Sequence, residues 1–516
     1  MKFLGIVLAF AMCPLALAAP PPAPHVSVAA TDIRQLEFSY TPVPGVARYE
    51  LWFRSAPGAQ WVKYHERAAQ RGPLFRIAVS VHLLDWRQAR YYVKACNPSG
   101  CTASNEVGVD GEQLVAMGYI KPREATGHTY FGSNVAASAD GKTIAVLAGE
   151  DIGTTHVSAT VHVYRKTTST SGWRREARLV PSTVQSATTA AFLGDPIALS
   201  GDGNLLLLGT AAEDTTGANP REDAGAVYLF RRTGTTWRLA QKLTGENYAG
   251  DSFGWVVKVD DAGRTLAISH GNQQPGTVEI YRDPDDASDQ FVHSQRIPVE
   301  LQGSVNGWCG AIALSGDGQT LLRSCYYFHT GFYFTQILNG PGFGETRRIT
   351  GGSGDGLDVS YDGTKMIVQN NEYADAYRRT PDGWISDGYL EAIDGAGAGG
   401  RRHIAISRDG KIAVNGNAAE FTVGLGPVYP PYQANEDDHA GSGGVIVHHF
   451  KQNRWMVRRL VKPGSAYQGW AGNSVALGDN GRLLVVGAPM DASAATGIDG
   501  DREDESVPWR GGVWVY

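Results

Sequence analysis

Charge is scarce in this chain. Only 19% of its 516 residues are Asp, Glu, Lys or Arg, and the formal net charge is −6. A protein that grips nucleic acid needs a basic stripe to displace counterions from phosphates. No stripe of Lys and Arg with interleaved aromatics occurs, so nucleic acid is not an expected partner. Beyond the first residues no apolar stretch approaches the roughly 20 residues that cross a bilayer. The short catalytic signatures are missing too: no Gly-x-Ser-x-Gly elbow, no His-Glu-x-x-His and no phosphate loop. Cysteine is rare, with five in the chain. Glycine is abundant, at 64 residues, in a chain that is 42% apolar. That balance excludes a disordered chain and, with many short β-branched and aromatic runs, favours turns and strands over helices.

The first 18 residues read as an export signal. Lys2 supplies the charged start, residues 3–17 the apolar stretch, and Ala16-Leu17-Ala18 a small-residue cleavage site. Pro14 and the shortness of the run argue against a membrane anchor. Cys13 follows Met12, where lipid attachment wants a small residue. The expected destination is the periplasm, the cell surface or the medium. Cleavage would leave four cysteines in two close pairs, which in an exported chain suggests disulfides. Cys96 and Cys101 flank the turn sequence Asn97-Pro98-Ser99-Gly100. Cys309 and Cys325 are equidistant from Asp317, the centre of a predicted hairpin turn, which places them opposite each other across two strands. The alternatives are buried free thiols or a metal site, but no His completes a zinc spacing near either pair.

Two compositions divide the chain. Residues 24–110 alternate in strand fashion at 26–28, 36–40, 49–53 and 91–95, separated by turn clusters, the pattern of a small sandwich. From residue 112 a longer phrase repeats: an apolar strand, a turn on Asp-Gly, Asn-Gly or Ala-Gly, then a second apolar strand. The turn glycines are Gly141, Gly203, Gly263, Gly318, Gly363, Gly410 and Gly481, at intervals of 45 to 71 residues. Such a period signals a modular array, and four strands per unit is the content of one propeller blade.

Two resemblances sharpen this. The stretch 91–100, with residues 49–53 and Trp61, resembles a fibronectin type III domain. Tyr130-Phe131-Gly132-Ser133, Gly225-Ala226-Val227-Tyr228-Leu229-Phe230 and Val486-Gly487-Ala488-Pro489 resemble the FG-GAP repeats of bacterial surface proteins and integrin-α propellers. The fourth and sixth units depart from that pattern, with Cys309-Gly310 and Gly400-Arg401 where Phe-Gly would stand. The chain stops on Gly511-Gly512-Val513-Trp514-Val515-Tyr516, which matches the third strand of a unit. The missing fourth strand is present at 113–120. The expected fold is therefore all-β: a fibronectin type III-like sandwich (24–110), then a seven-bladed β-propeller (112–516) closed by an N-terminal strand.

Long insertions at 211–224, 418–443 and 489–510 should share one face, where binding residues gather on a rigid scaffold. The sixth-unit loop carries Tyr429, Tyr432, Glu436, Asp437, Asp438 and His439. The seventh carries Asp491, Asp499, Asp501, Glu503, Asp504, Glu505 and Trp509. Tyr429, Tyr432, Asp437, Asp438, His439, Asp501, Asp504 and Trp509 are the candidates for contact with a glycan or protein outside the cytoplasm, because aromatic faces beside polar groups suit sugar rings or protein hot spots. No catalytic residue and no cofactor is expected. Integrin propellers hold calcium in Asp-rich loops, but the turns here offer one carboxylate each, too few for a hard cation. Asp140, Asp202, Asp317, Asp362 and Asp409 read as turn formers. Asp283, Asp285 and Asp289 leave calcium as an alternative. His403, His448 and His449 fall in predicted strands, with at least one of the adjacent pair facing outward. A polysaccharide lyase or hydrolase with its site in the funnel, and a structural module of an envelope assembly, are the alternative functions.

Overall fold

The computed structural model describes residues 19–83, 88–109, 118–123, 129–151, 157–168, 171–181, 196–215, 219–245, 249–271, 277–284, 290–298, 307–327, 330–339, 342–351, 356–369, 374–390, 403–418, 426–428, 443–462, 469–501, 506–507 and 509–516. Among them there are strands and three short 3₁₀ turns but no α-helix, and none that could cross a membrane. The signal-like residues 1–18 lie outside the described residues. The chain separates into two units. One comprises residues 1–29, 36–76 and 85–112; the other comprises 30–35, 77–84 and 113–516.

In the smaller unit, Arg48–Arg54 sits between Val62–Ala68 and Arg90–Asn97, and Gly100–Ala103 continues the same sheet. A second sheet contains Gln35–Tyr40 and Leu74–Ala78. Aromatic side chains join the two: Phe38 meets Tyr91 at 4.8 Å between ring centres, and Tyr40 meets Tyr49 at 4.3 Å. Burial pushes the Tyr40 hydroxyl up to about 12. Cys96 and Cys101 face each other across the hairpin and are disulfide-bonded.

The larger unit is a succession of antiparallel sheets. The first strands of the seven are Asn134–Ala137, Ile197–Leu199, Val257–Val259, Gly307–Leu314, Leu357–Val359, Ile404–Ile406 and Ser474–Gly478. Each begins a sheet whose second, third and fourth strands lie progressively outward. In the seventh sheet the outer position is taken by Tyr119–Ile120, with Ile120 opposite Val513 and Tyr119 opposite Trp514. Residues 113–117, expected in the same strand, lie outside the described residues. The sixth sheet has a fifth strand, Gly426–Val428, which pairs with Arg454–Lys462. That strand comes from the insertion read as a loop at 418–443.

Each first strand packs on the next, and the seventh packs on the first. Apolar clusters fill the spaces between sheets. Phe131, Ile144, Val146, Val485, Val513 and Val515 form the one between the last sheet and the first. The turns behave as the sequence indicates. All seven turn glycines have φ between 63° and 81°, a region that costs other residues energy. In five turns a Ser hydroxyl donates to the Asp two residues on, as Ser138 to Asp140 at 2.6 Å and Ser200 to Asp202 at 2.6 Å. The same Asp accepts a backbone N–H two residues further, as from Lys142, Asn204, Gln319, Thr364 and Lys411. These carboxylates are spent on their own turns.

The turns are also tied to one another. Asp140 N donates to Gly201 O, Gly201 N to Asp261 O, Asp261 N to Gly316 O, Asp317 N to Tyr361 O and Tyr361 N to Arg408 O. Asp409 N then donates to the Asn480 side-chain oxygen, and Asp479 N returns to Ala139 O. This belt runs through all seven turns back to its start. Cys309 and Cys325 are opposite each other in the fourth sheet, as their spacing about Asp317 predicts. Their side chains lie outside the described residues.

Candidate binding face

Because the belt gathers the turns on one face, the first strands all start from the other. Their antiparallel second strands return to it. The links between sheets and the insertions at 211–224, 418–443 and 489–510 therefore share this loop face. The predicted residues of the sixth-sheet insertion, Tyr429, Tyr432, Asp437, Asp438 and His439, lie outside the described residues, as does Asp504.

The 489–510 insertion is only partly available for binding. Asp491 is buried inside it. Its Oδ1 accepts hydrogen bonds from the Tyr119 hydroxyl at 2.6 Å, Lys121 Nζ at 2.9 Å and Ser493 N at 3.0 Å. Lys121 is fully buried, and burial pushes its ammonium below the ordinary lysine range despite the pull of Asp491. Asp499 Oδ1 accepts from Tyr119 N at 2.9 Å, and Asp499 N donates to Tyr119 O at 2.7 Å. Both carboxylates thus clasp the N-terminal strand. The second sheet uses a similar device: Glu213 accepts from Thr210, Tyr228 and Lys242 at 2.7, 3.0 and 2.5 Å. Asp501 is exposed, with its backbone oxygen held by Ser493 Oγ.

Three junctions between sheets are built alike. Phe131 pairs in parallel with Gly511, Phe253 with Gly225, and Ala471 with Gly443. Phe131 and Phe253 are fully buried. Gly132 follows with φ 91°, and its carbonyl occupies the space where a side chain on Gly487 would stand. Just before each pairing the backbone turns left-handed. Tyr130 N donates to Trp509 O at 3.2 Å, and Ser252 N to Asp223 O at 2.9 Å. The φ values are 46°, 58°, 51° and 49°, and Trp470 at the third junction has 56°. Tyr130 and Trp509 stack with ring centres 6.5 Å apart and planes 16° apart. Trp509 is 46% exposed and Trp470 37%. Gly469, beside Trp470, accepts from Met490 N at the start of the 489–510 insertion. Trp509 was a sequence candidate; Tyr130 and Trp470 were not. Their shared signal is a position immediately before a Phe-Gly or Ala-Gly step.

No protein-family model matches the chain, and no curated protein is detectably similar to it. Among solved structures it is similar to the β-propeller domain of Cps50 (Swd1) from Myceliophteria thermophila, at 11% identity and a TM-score of 0.45, covering 77% of this chain and 99% of that one. It is also similar to a putative 6-phosphogluconolactonase from Bacteroides uniformis (12%, TM-score 0.44, 73% and 99%) and to the Dos1 propeller (12%, TM-score 0.42, 79% and 96%). Every score is below 0.5. The β-propeller character of the larger unit rests on its strand order.

A cavity of about 250 Å³ lies among the first strands, and all seven contribute to its lining, including Trp255, Lys258, Asp358 and His403. His403 stands one residue before its strand. Asp358 is the sole carboxylate of the described lining. Its two oxygens accept from Val359 N at 2.9 Å and Ile406 N at 2.8 Å, so it ties the fifth sheet to the sixth. Of the strand histidines, His448 is buried and His449 half-buried. Asp283, a calcium candidate, pairs with Arg231 at 3.0 Å. Asp285 and Asp289 lie outside the described residues. Among the described residues only Glu50, Cys96 and Cys101 cluster in the manner of metal ligands, and the disulfide removes both thiolates.

A second buried cluster is structural. His270 and Asp251 have no exposed surface, and His270 Nδ1 lies 3.1 Å from Asp251 Oδ2. This contact is an ion pair when His270 is protonated. His270 Nε2 lies 3.3 Å from Glu279 Oε1, which also meets Arg296 at 3.0 Å; Glu279 Oε2 meets His293 at 2.7 Å. Burial opposes a charge on His270, but Asp251 and Glu279 outweigh it and hold its pKa above the usual 6.5. Burial likewise opposes charge on Glu279, yet His270, His293 and Arg296 hold its pKa below 4.5. His270 therefore adds stability that is full below its unfolded pKa and lost as pH rises through the raised folded value. Glu279 adds stability above its unfolded pKa and loses it as pH falls through the lowered one. Urea midpoints measured on both sides of neutrality should show an alkaline decline in the wild type that His270→Gln lacks.

Proposed function

We propose that the chain is an exported binding protein without catalytic activity, in which a fibronectin type III-like sandwich (24–110) precedes a seven-bladed propeller (112–516). On this reading the seven successive sheets are seven blades, and the strand containing Tyr119 and Ile120 closes the last. The loop face recognises a glycan or a protein outside the cytoplasm, and the sandwich serves as spacer or second contact. Residues 1–18 direct export. The observation that carries the reading is the stack of half-buried Tyr130 on exposed Trp509, on a face braced by buried clasps. Rigid aromatics presented by a scaffold are what binding surfaces use. The enzymatic alternative, a polysaccharide hydrolase or lyase working in the funnel, would need a second acid. Glycoside hydrolysis generally takes two carboxylates, and the described lining supplies Asp358 alone, already bonded to two backbone amides.

The test is a glycan array of charged and uncharged chains probed with the purified protein, with the same glycans incubated in parallel and assayed for new ends. Binding with no new reducing ends and no unsaturated product is the expected outcome. Turnover of any glycan would transfer the function to the enzymatic alternative.

A further inference from the structure

The junctions between sheets contain an internal comparison. Where the second sheet meets the third, the two left-handed positions hold Asp223 and Ser252, both small and polar. Asp is among the residues that tolerate this conformation through local hydrogen bonds. Where the seventh meets the first, the same two positions, joined by the same backbone hydrogen bond, hold Trp509 and Tyr130. For bulky residues the left-handed region is a genuine outlier, and such outliers gather at functional sites. The fold does not require aromatics there, since its own second junction does without them. Trp470 repeats the choice at the third junction. Trp470 stands at the entry to the seventh sheet, beside Gly469, which meets the start of the 489–510 insertion; Trp509 lies at the end of that insertion, with Tyr130 stacked on it.

We propose that Tyr130, Trp509 and Trp470 form a stacking platform for an uncharged polysaccharide chain. This rests on the binding function given above and names its site and ligand class. Three features select the occupant. The rings are held by a backbone that cannot relax cheaply, which lowers the entropy cost of ordering them on a ligand. Other large apolar side chains exposed in the larger unit, such as Leu239, Val292, Ile385 and Met456, belong to outer strands. Among the described residues the platform therefore lacks the apolar surround that marks a protein hot spot. A sugar ring offers an apolar C–H face to an aromatic and hydroxyls to polar groups, such as the exposed Asp501 of the same insertion as Trp509. The carboxylates of the adjoining insertion and the net charge of −6 oppose a polyanion.

The experiment is affinity electrophoresis of the full chain through gels containing dextran, xyloglucan, galactomannan or hydroxyethyl cellulose, with alginate as the polyanionic arm. Retardation by at least one uncharged polymer and none by alginate is expected. The decisive variant is Tyr130→Ser/Trp509→Asp, which installs the pair of the second junction. Its thermal midpoint should equal or exceed that of the wild type, because the left-handed strain is relieved, while its affinity falls at least tenfold. Trp470→Ser should also weaken binding with its midpoint unchanged. If the double variant binds as the wild type does, the platform is wrong and the binding function stands. If no uncharged polymer retards the wild type, or alginate does so best, the ligand class is wrong.

Discussion

Asp491→Ala should lower the stability of the protein by about 3–5 kcal/mol, the range for removing one partner of a buried ion pair. The Lys121 ammonium has no exposed surface, and Asp491 is the carboxylate that meets it. Alanine would leave that charge in a dry site, together with the Tyr119 hydroxyl and Ser493 N–H that share the same oxygen. Asp491→Asn separates these effects. The amide oxygen still accepts from Tyr119 and Ser493 but carries no charge, so its loss should be smaller. Lys121→Met combined with Asp491→Asn should recover most of the deficit, because the buried cation leaves with its partner. Urea denaturation of the four proteins measures each step. A loss for Asp491→Ala below about 1 kcal/mol, the scale of an exposed pair, would mean that water reaches Lys121.

The location of the clasp gives the effect its weight. Tyr119 and Ile120 pair with the last third strand; on their other side Ile120 bridges Ile498, Tyr119 O accepts from Asp499 N, and Lys121 N donates to Gly497 O in the insertion. Two described pairs with that strand are few for a segment that covers Trp514, which is fully buried. Asp491 and Asp499, with the backbone of Gly497 and Ile498, supply further hold from a segment distant in sequence. Loosening them bares the edge of the seventh sheet, and bare edges invite pairing with other chains. Concentration-dependent aggregation of Asp491→Ala during refolding should accompany the loss.

The repeat was legible because its features are local. A Ser-x-Asp-Gly turn declares itself in four residues, and each of these carboxylates is found bonded within its own turn. The facing of Cys309 and Cys325 followed from counting about Asp317. The roles of Asp491 and Asp499 were not legible. Both lie in an acidic, loop-like stretch, and only the return of a strand more than 350 residues earlier engages them, Asp491 buried and Asp499 at the surface. Tyr130 and Trp470 were missed for a different reason. Side-chain identity does not reveal φ, and aromatic residues are poor indicators of a left-handed bend. The strand Gly426–Val428 was hidden by its setting, since three residues in a Gly- and Pro-rich insertion carry no alternation to detect.

Gly487→Ala tests whether the meeting of the last sheet with the first depends on bare backbone. Gly487 has an ordinary φ, so alanine there meets no conformational penalty. Its Cβ would instead run into the Gly132 carbonyl oxygen and the Ser474 hydroxyl, which themselves are hydrogen-bonded at 2.8 Å. The Gly132 carbonyl cannot swing aside freely, because the N–H of its own peptide, that of Ser133, donates to Tyr130 O at 2.9 Å while its oxygen accepts from Ser474 Oγ. The sheets must move apart instead. Overpacking of this kind costs roughly 1–3 kcal/mol, and the disturbance falls on Phe131, Val485 and Val513 in the cluster that joins the ring's ends. Gly234→Ala provides the control. At φ 64° it meets nothing within 4 Å, so it carries the left-handed cost alone, about 1–2 kcal/mol. Gly209→Ala should reproduce the Gly487 result where the second sheet meets the third, since Gly254 O stands against it in the same way. Differential scanning calorimetry should show Gly487→Ala losing at least as much stability as Gly234→Ala despite its unstrained backbone. A midpoint unchanged from wild type would show that the sheets tolerate a methyl between them and that close backbone contact is not what fixes their spacing.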